Sequence, residues 1–329
     1  HSGVSVELLE ALRNLINARI IPLIPEHGAV GTSGDLLQLA HIAYALIGGG
    51  HVRYKGEKIL ATEALKIEHL KPYALKPKEG LSLINGTAAM SAIMSLVVVE
   101  SENVFDIATR TGAFSLELVS AFSDGFSTEL SETRPHKGQL KIVRALQELT
   151  KNSTRIRERY SALQSLSSVA KNGDSVDIKA YVQEVYSMRC IPQILGPLVE
   201  IICAARETLN IEINSTTDNP VISLEKKFIY HGGNFHGEYV AVAADQVKAA
   251  LIKLSILTER RTNFFLSSHV NKMFPQFLNR GTLGLNLGLQ ALQFTATSTT
   301  AQNQSLGFPH SLHSISTNGD NQDVVSMGT

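Results

Sequence analysis

Only two of the 329 residues are cysteine, and the 30 basic and 30 acidic side chains cancel. Two thiols, Cys190 and Cys203, exclude a disulfide framework or a cysteine-built metal cluster. They read as small buried hydrophobes in a reducing cytoplasm. Balanced charge excludes the basic footprint of a nucleic-acid-binding protein. No apolar run of 18 or more residues escapes charges or polar breaks, so no transmembrane helix is expected. The start lacks a secretory n-region and h-region, and no internal repeat or low-complexity segment appears. The chain opens on His1 without Met and stops at Gly328-Thr329, so a piece of a longer protein is expected.

What is abundant is helical periodicity. Ser5 is placed to cap a first helix carrying Leu8, Leu9, Leu12, Leu15 and Ile16, ended by Pro22 and Pro25. A second helix starts at Asp35, carries Leu36, Leu39, Ala40, Ala43 and Ile47, and stops at Gly48-Gly49-Gly50. Residues 51–59 alternate around Lys55-Gly56 and predict a hairpin. A short helix follows from Thr62, then a Pro/Lys-rich connection over 71–80. Residues 81–130 read as nearly all helix, interrupted at Asn85-Gly86-Thr87 and near Ser101. Helices are expected over 137–166, over 182–209 with breaks at Pro192 and Gly196-Pro197, and over 238–266 and 284–304. Residues 167–177 read as a polar loop, 214–220 as a turn, and 221–230 as a second hairpin. These patterns predict an all-α protein of long helices trimmed with short β hairpins.

One stretch stands apart: Gly28-Ala29-Val30-Gly31-Thr32-Ser33-Gly34-Asp35, running into the apolar segment 36–47. Three readings compete. Ser33 or Asp35 caps the following helix, with the glycines supplying positive φ. Alternatively Ser33 is a nucleophile, although the elbow pattern wants glycine two residues later, where Asp35 stands. The third is backbone chemistry: Gly34 N attacks the Thr32 carbonyl, and loss of water turns Ser33 into a dehydroalanine-like electrophile. Only glycine lets the backbone bend tightly enough for that closure.

Other polar groups interrupt apolar helices. Asn85-Gly86-Thr87 puts an amide into an apolar run, and Gln183, Tyr186 and Arg189 fall toward one helix face. His231 to Gly237 is a glycine-flexed turn presenting Phe235, and Asp320-Asn321-Gln322-Asp323 is a dense polar knot. Singly, each has an ordinary role in capping, ion pairing or packing. Jointly they supply an arginine fork for a carboxylate, a phenol and amides for orientation, and an aromatic wall. His231 and His236 make a weak metal pair, without a carboxylate partner; no metal is expected.

These segments occur in a telling order. Gly31-Thr32-Ser33-Gly34-Asp35, Asn85-Gly86-Thr87, Tyr186-Ser187-Met188-Arg189-Cys190, Gly232-Gly233-Asn234-Phe235-His236 and Asn321-Gln322-Asp323 resemble the aromatic amino acid ammonia-lyase family. That family includes histidine, phenylalanine and tyrosine ammonia-lyases and the related aminomutases. The resemblance covers the whole chain and implies one long-helix domain of the ammonia-lyase, fumarase/aspartase-like type over 1–329. It also implies that an N-terminal lid carrying the tyrosine base, and C-terminal helices, lie outside this chain.

By the same resemblance Thr32, Ser33 and Gly34 cyclise to 4-methylidene-imidazol-5-one (MIO). Most members have alanine where Thr32 stands, but that side chain is not consumed. Asn85 and Tyr186 would flank the group, Arg189 would hold the substrate carboxylate, Gln183 would support it, and Phe235 would line the ring pocket. Such an electrophile suits a substrate whose β-hydrogen is hardly acidic and whose leaving group is ammonia. Family members are homotetramers whose sites combine residues from three subunits, so a cytoplasmic homotetramer is expected. Gln322, with Asn321 before it, is a neutral amide where histidine ammonia-lyases tend to carry glutamate. It suits an uncharged aromatic ring. The wording of His27-Gly28-Ala29-Val30-Gly31 and His136-Lys137-Gly138-Gln139 is closest to bacterial tyrosine ammonia-lyases. The expected reaction is therefore L-tyrosine to 4-coumarate and ammonia. Histidine or phenylalanine elimination, a 2,3-aminomutase and an inactive helical scaffold are the alternatives.

Overall fold

The computed structural model describes residues 1–162, 183–282 and 284–328; the loop expected over 167–177 lies outside them. The elements are, in order, α1 (Val6–Asn17), β1 (Ile21–Pro22), α2 (Leu36–Leu46), β2 (His51–Tyr54), β3 (Glu57–Leu60), α3 (Ala61–Ile67), α4 (Glu79–Ile84) and α5 (Ala88–Leu118). They continue as α6 (Thr128–Glu132), α7 (Lys137–Thr150), α8 (Tyr186–Arg189), α9 (Ile191–Glu212), β4 (Val221–Ser223), β5 (Phe228–Tyr230), α10 (Glu238–Leu266), α11 (Ser268–Asn271) and α12 (Gln290–Ser305). The protein is mostly helical with two small antiparallel sheets, β1-β2-β3 and β4-β5. Its chain divides into two compact units, residues 1–97, 205–245 and 309–329, and residues 98–204 and 246–308.

In the first unit, Ser5 caps α1 by accepting from Leu8 N at 3.3 Å. Leu8 and Leu15 bury against Ile20, Leu46, Val52 and Leu65, whereas Leu9 and Ile16 face outward. The hairpin turns at Lys55-Gly56, both at positive φ, and gains an unexpected third strand. Ile21 and Pro22 pair with Arg53 and Val52, so the prolines do not merely end a helix. Beside this core, Glu79 is buried and accepts from Ser5 N and Oγ, Lys76 N and the Tyr73 hydroxyl. Burial pushes its carboxyl up, but those donors outweigh it and hold the pKa at about 2.

The long helices depart from expectation where polar residues were read as breaks. Helix α5 passes through Ser101, which is buried at 2% exposure. Its hydroxyls fold back onto the helix: Ser95 Oγ donates to Ser91 O at 2.7 Å and Thr109 Oγ1 to Phe105 O at 2.9 Å. By length and composition alone α5 would reach across a membrane, and a third of its apolar window is buried. Helix α9 likewise runs through Gly196-Pro197, while Pro192 sits in its first turn, where a missing N–H is harmless.

In the second unit α7 stops at Thr150, short of the expected 166. The chain then turns and bends over 151–155, where Arg155 Nε donates to Glu117 O at 2.8 Å and, two residues on, Arg157 Nε donates to Ser120 O at 2.6 Å. Helix α10 spans its expected residues, and buried Asn271 caps its end, donating to Phe264 O and Ser267 O and accepting from Phe274 N. Helix α12 begins only at Gln290, after turns at Gly284 and Gly288 with positive φ. Cys190 is half-buried and Cys203 exposed, which corrects the reading of both as core residues.

Candidate active site

The glycine-rich stretch forms a creased turn. Gly31, Ser33 and Gly34 all hold positive φ, at +73°, +51° and +77°. Ser33 is a non-glycine residue in that region, an arrangement that surrounding structure must enforce. The enforcement comes from Asn85-Gly86. Gly86 N donates to Ser33 O at 3.2 Å, and Asp35 N donates to Gly86 O at 2.7 Å. A Cβ on Gly34 would lie 2.0 Å from Gly86 O, and one on Gly86 would lie 2.4 Å from Thr217 O. Three backbone segments are therefore stacked too closely for any side chain between them. Thr87 Oγ1 adds a 2.5 Å hydrogen bond to Glu212 Oε1.

Asp35 does not cap the helix it precedes. Its Oδ2 instead accepts from Met90 N at 2.8 Å, at the start of α5. Asp35 is fully buried and its Oδ1 has no partner among the described residues. Burial pushes its pKa up to about 6, against the pull of the Met90 and Ala89 N–H groups and with a push from Glu212.

Two further expected residues are strung around the same turn. A Cβ on Gly31 would meet Ser326 Oγ at 2.2 Å, and Met327 N donates to Val30 O at 3.3 Å. Gly237, two residues after half-buried Phe235, packs against Met90 and Ser326, while the His236 ring bonds Val324 O at 3.2 Å. Gln322 closes a turn with Thr317, whose hydroxyl donates to Gln322 Oε1 at 3.0 Å. Asn321 is exposed in that turn. The structure thus gathers Thr32, Ser33, Gly34 and Asn85 directly, with Phe235 and Gln322 on segments that meet at Ser326.

Gln183, Tyr186 and Arg189 belong to the second unit. Tyr186 and Arg189 share α8, only four residues long, and Gln183 sits outside it in a bend, which corrects the single helix face expected for the three. Gln183, Glu184, Arg189, Cys190, Gln193, Asp124 and Arg159 line a cleft of about 390 Å³. Arg189 Nε donates to Glu184 O at 3.0 Å, and its guanidinium lies 5.0 Å from the Tyr186 ring centroid. That hydrogen bond engages one edge of the guanidinium and leaves the two-nitrogen end able to grip a carboxylate. Buried Glu184 accepts from Phe122 N at 2.9 Å, and Arg261 Nε donates to Ser187 O at 2.9 Å, tying α8 to α10. Desolvation lowers the Arg261 pKa to about 10.

Sequence reasoning missed Asp218, Glu212, Glu184 and Arg261. Glu184 stands between Gln183 and Tyr186, and Asp218 inside a segment read only as a turn. Asp218, Glu184 and Arg261 are marked by burial of a charge, which a one-dimensional pattern does not display, and half-buried Glu212 by its hydrogen bond from Thr87.

The turn accommodates the prosthetic group that the resemblance implies. Ring closure requires backbone doubled back at Ser33-Gly34, and both residues are held at positive φ. It also requires glycine at 34, where no Cβ fits. Among the described residues no group of three or more His, Cys, Asp or Glu is placed to hold a metal.

The all-α fold of long helices carries a clamped Thr-Ser-Gly turn in one unit and an arginine-lined cleft in the other. A family profile described as aromatic amino acid lyase matches residues 1–329, and the chain belongs to that family. It is 39% identical over 330 residues to the MIO-dependent tyrosine 2,3-aminomutase of Streptomyces globisporus, covering 100% of this chain and 61% of the relative. It is 36% identical over 329 residues to the histidine ammonia-lyase of Vibrio cholerae, again covering 100% and 61%. The crystal structure of a tyrosine aminomutase from Streptomyces globisporus superposes with a TM-score of 0.94 at 38% identity, over 100% of this chain and 62% of that one. The fold is of the ammonia-lyase and aminomutase type. The chain spans about three fifths of the length of these relatives.

Proposed function

We propose that this chain is the central part of an MIO-dependent enzyme that eliminates ammonia from an aromatic L-amino acid, with L-tyrosine as substrate and 4-coumarate as product. The observation that carries this reading is the Ser33-Gly34 crease, held at positive φ with no room for a Cβ. An electrophile formed there from Thr32, Ser33 and Gly34 supplies the means to turn a poor amine leaving group into a good one. The chain's own residues bind and orient. Arg189 grips the substrate carboxylate end-on with its two terminal nitrogens, supported by Gln183. Asn85 flanks the turn, Tyr186 stands beside Arg189 as the catalytic phenol, and Phe235 provides an apolar wall. Gln322, with Asn321 beside it, faces the ring as a neutral amide, which costs less desolvation beside an uncharged phenol than a carboxylate does.

The similarity to tyrosine 2,3-aminomutases favours a second reading, in which ammonia returns to the β-carbon and a β-amino acid leaves. Both readings share the elimination. Incubation with tyrosine, phenylalanine and histidine, followed by ultraviolet spectra and chiral chromatography, separates them. Coumarate from tyrosine supports the lyase reading and β-tyrosine the aminomutase reading. Urocanate from histidine, with nothing from tyrosine, overturns the substrate.

We further propose one helical domain acting as a cytoplasmic homotetramer. On α5, Ile93, Leu96, Val99, Ile107 and Phe114 are all at least half exposed. Glu100, Asp106 and Arg110 punctuate that helix, which suits packing against helices of other copies better than contact with lipid. Unpaired Cys190 and Cys203 suit a reducing compartment.

A further inference from the structure

Behind Asn85 lies a charged hub that the proposed reaction does not use. Asp218 is 3% exposed and sits in the turn before the β4-β5 hairpin. Three donors among the described residues converge on it, joined by Ser82 Oγ, whose single proton is divided between Asp218 and Ser2 O at 2.9 Å. Lys78 Nζ and Ser82 Oγ reach Oδ2 at 2.6 and 3.1 Å. Asn85 Nδ2 and Asn219 N reach Oδ1 at 3.0 and 2.6 Å. Burial raises the Asp218 pKa, but Lys78, Asn85, Asn219 N and Ser82 more than offset it and leave the carboxyl below its ordinary range. Asp218 is thus ionised at neutral pH and can only accept hydrogen bonds.

That polarity has a consequence for Asn85, which is itself 7% exposed. An amide is nearly symmetric in shape, and either end fits the same space. A carboxylate beside it removes the choice, because only the NH2 end is attracted. The second amide hydrogen is taken as well, by Asn219 O at 3.3 Å. Both donors of Asn85 therefore point into the hub, and its carbonyl oxygen is the end left to meet a ligand.

We propose that Asp218 is a positioning residue that fixes which way round the Asn85 amide stands, so that Asn85 meets its ligand as a hydrogen-bond acceptor. The group it suits is an N–H donor, such as the amine of an amino acid, and not a carbonyl or carboxylate oxygen. Lys78 holds the far oxygen of Asp218 and keeps the carboxylate plane from turning. This inference rests on the placement of Asn85 in the site.

The test is a double-mutant cycle on the full-length protein, following kcat, KM, thermal midpoint and intact mass. Asp218→Asn keeps the shape but offers Asn85 either a donor or an acceptor. Its kcat is expected to fall about tenfold with KM within about twofold, and the mass deficit of two waters is retained. In an Asn85→Ala background the same change should add nothing, since nothing is left to orient. Ser82→Ala, acting on the other oxygen, should leave kcat within about twofold. Asn85→Asp keeps an acceptor but loses both donors and sets a carboxylate against Asp218; it should be as impaired as Asn85→Ala. A loss from Asp218→Asn that multiplies onto Asn85→Ala overturns the proposal, as does an active Asn85→Asp variant. Wild-type kcat in Asn85→Ala, with the mass deficit intact, overturns the placement of Asn85 and the inference with it.

Discussion

The Ser33 turn and the Arg189 cleft are built on opposite principles. Around the turn, backbone meets backbone: Gly34, Gly86 and Thr217 are stacked without space for a methyl group, and Asp35 is buried at the seam. Around the cleft, side chains carry the structure. Among the described residues Arg189 is secured by one hydrogen bond, to Glu184 O, and Tyr186 is 70% exposed. A site that must bend its own backbone needs rigidity before any ligand arrives. A site that must admit and release a carboxylate needs an unsatisfied fork. The contrast predicts that added bulk at the turn damages the fold and the chemistry together, while loss of the Arg189 fork in the cleft damages binding alone.

The largest effect is expected from Gly34→Ala. Its Cβ would lie 2.0 Å from Gly86 O on a backbone with φ of +77°, so unfolding free energy should fall by more than about 3 kcal/mol. The mass deficit of two waters should vanish with it, as intact mass spectrometry and chemical denaturation will show. A stable, fully processed Gly34→Ala protein would erase the distinction between the two regions.

Next is the pH response of the buried carboxyl. Asp35 has its pKa raised from 3.8 to about 6 in the folded protein, so its protonated form is the one that folding favours. Its stabilising contribution is present below about pH 4 and is lost as pH rises through about 6. Against Asp35→Asn, the wild type should lose up to about 3 kcal/mol of relative stability between pH 4 and pH 7. Denaturation midpoints across that range give the difference, and parallel curves would contradict it.

For Arg189→Ala, the expected change is a KM about 100-fold higher, the scale of a lost charge-assisted hydrogen-bond pair. Its thermal midpoint should match the wild type. Arg189→Lys should recover little, because an ammonium lacks the planar fork. A marked fall in thermal stability would place Arg189 in the framework instead of the binding arm.

The smallest effect should come from Glu184→Gln. Arg189 holds the backbone oxygen of Glu184, not its carboxylate. KM should therefore stay within about threefold, while weaker acceptance of Phe122 N lowers stability by about 1 kcal/mol. Calorimetry and steady-state kinetics on one preparation check both.

These two regions were also unequally legible in the sequence. The hairpins at 51–59 and 221–230, the Ser5 cap and helix 238–266 follow from turn residues and periodicity, which are local. The Thr32-Ser33-Gly34 turn and Asn85 were visible because unusual residues stand in an apolar context. Asp35 was misread because its partner, Met90, is 55 residues away, and proximity suggested its own helix. Asp218 was invisible for the same reason: its donors Lys78, Ser82 and Asn85 come from more than 130 residues earlier. Helix α5 was expected to break at Ser101, since burial of a serine depends on neighbours that the sequence does not order. Local chemistry reads from sequence; which buried charge faces which donor does not.

The central claim is that the clamped turn is a prosthetic-group precursor and not a helix cap. Intact mass of the purified protein tests it most directly, with peptide mapping across residues 20–53. The account predicts a deficit of two water molecules, located to Thr32-Ser33-Gly34 and absent from a folded Ser33→Ala variant. A mass equal to that of the unmodified sequence would contradict it.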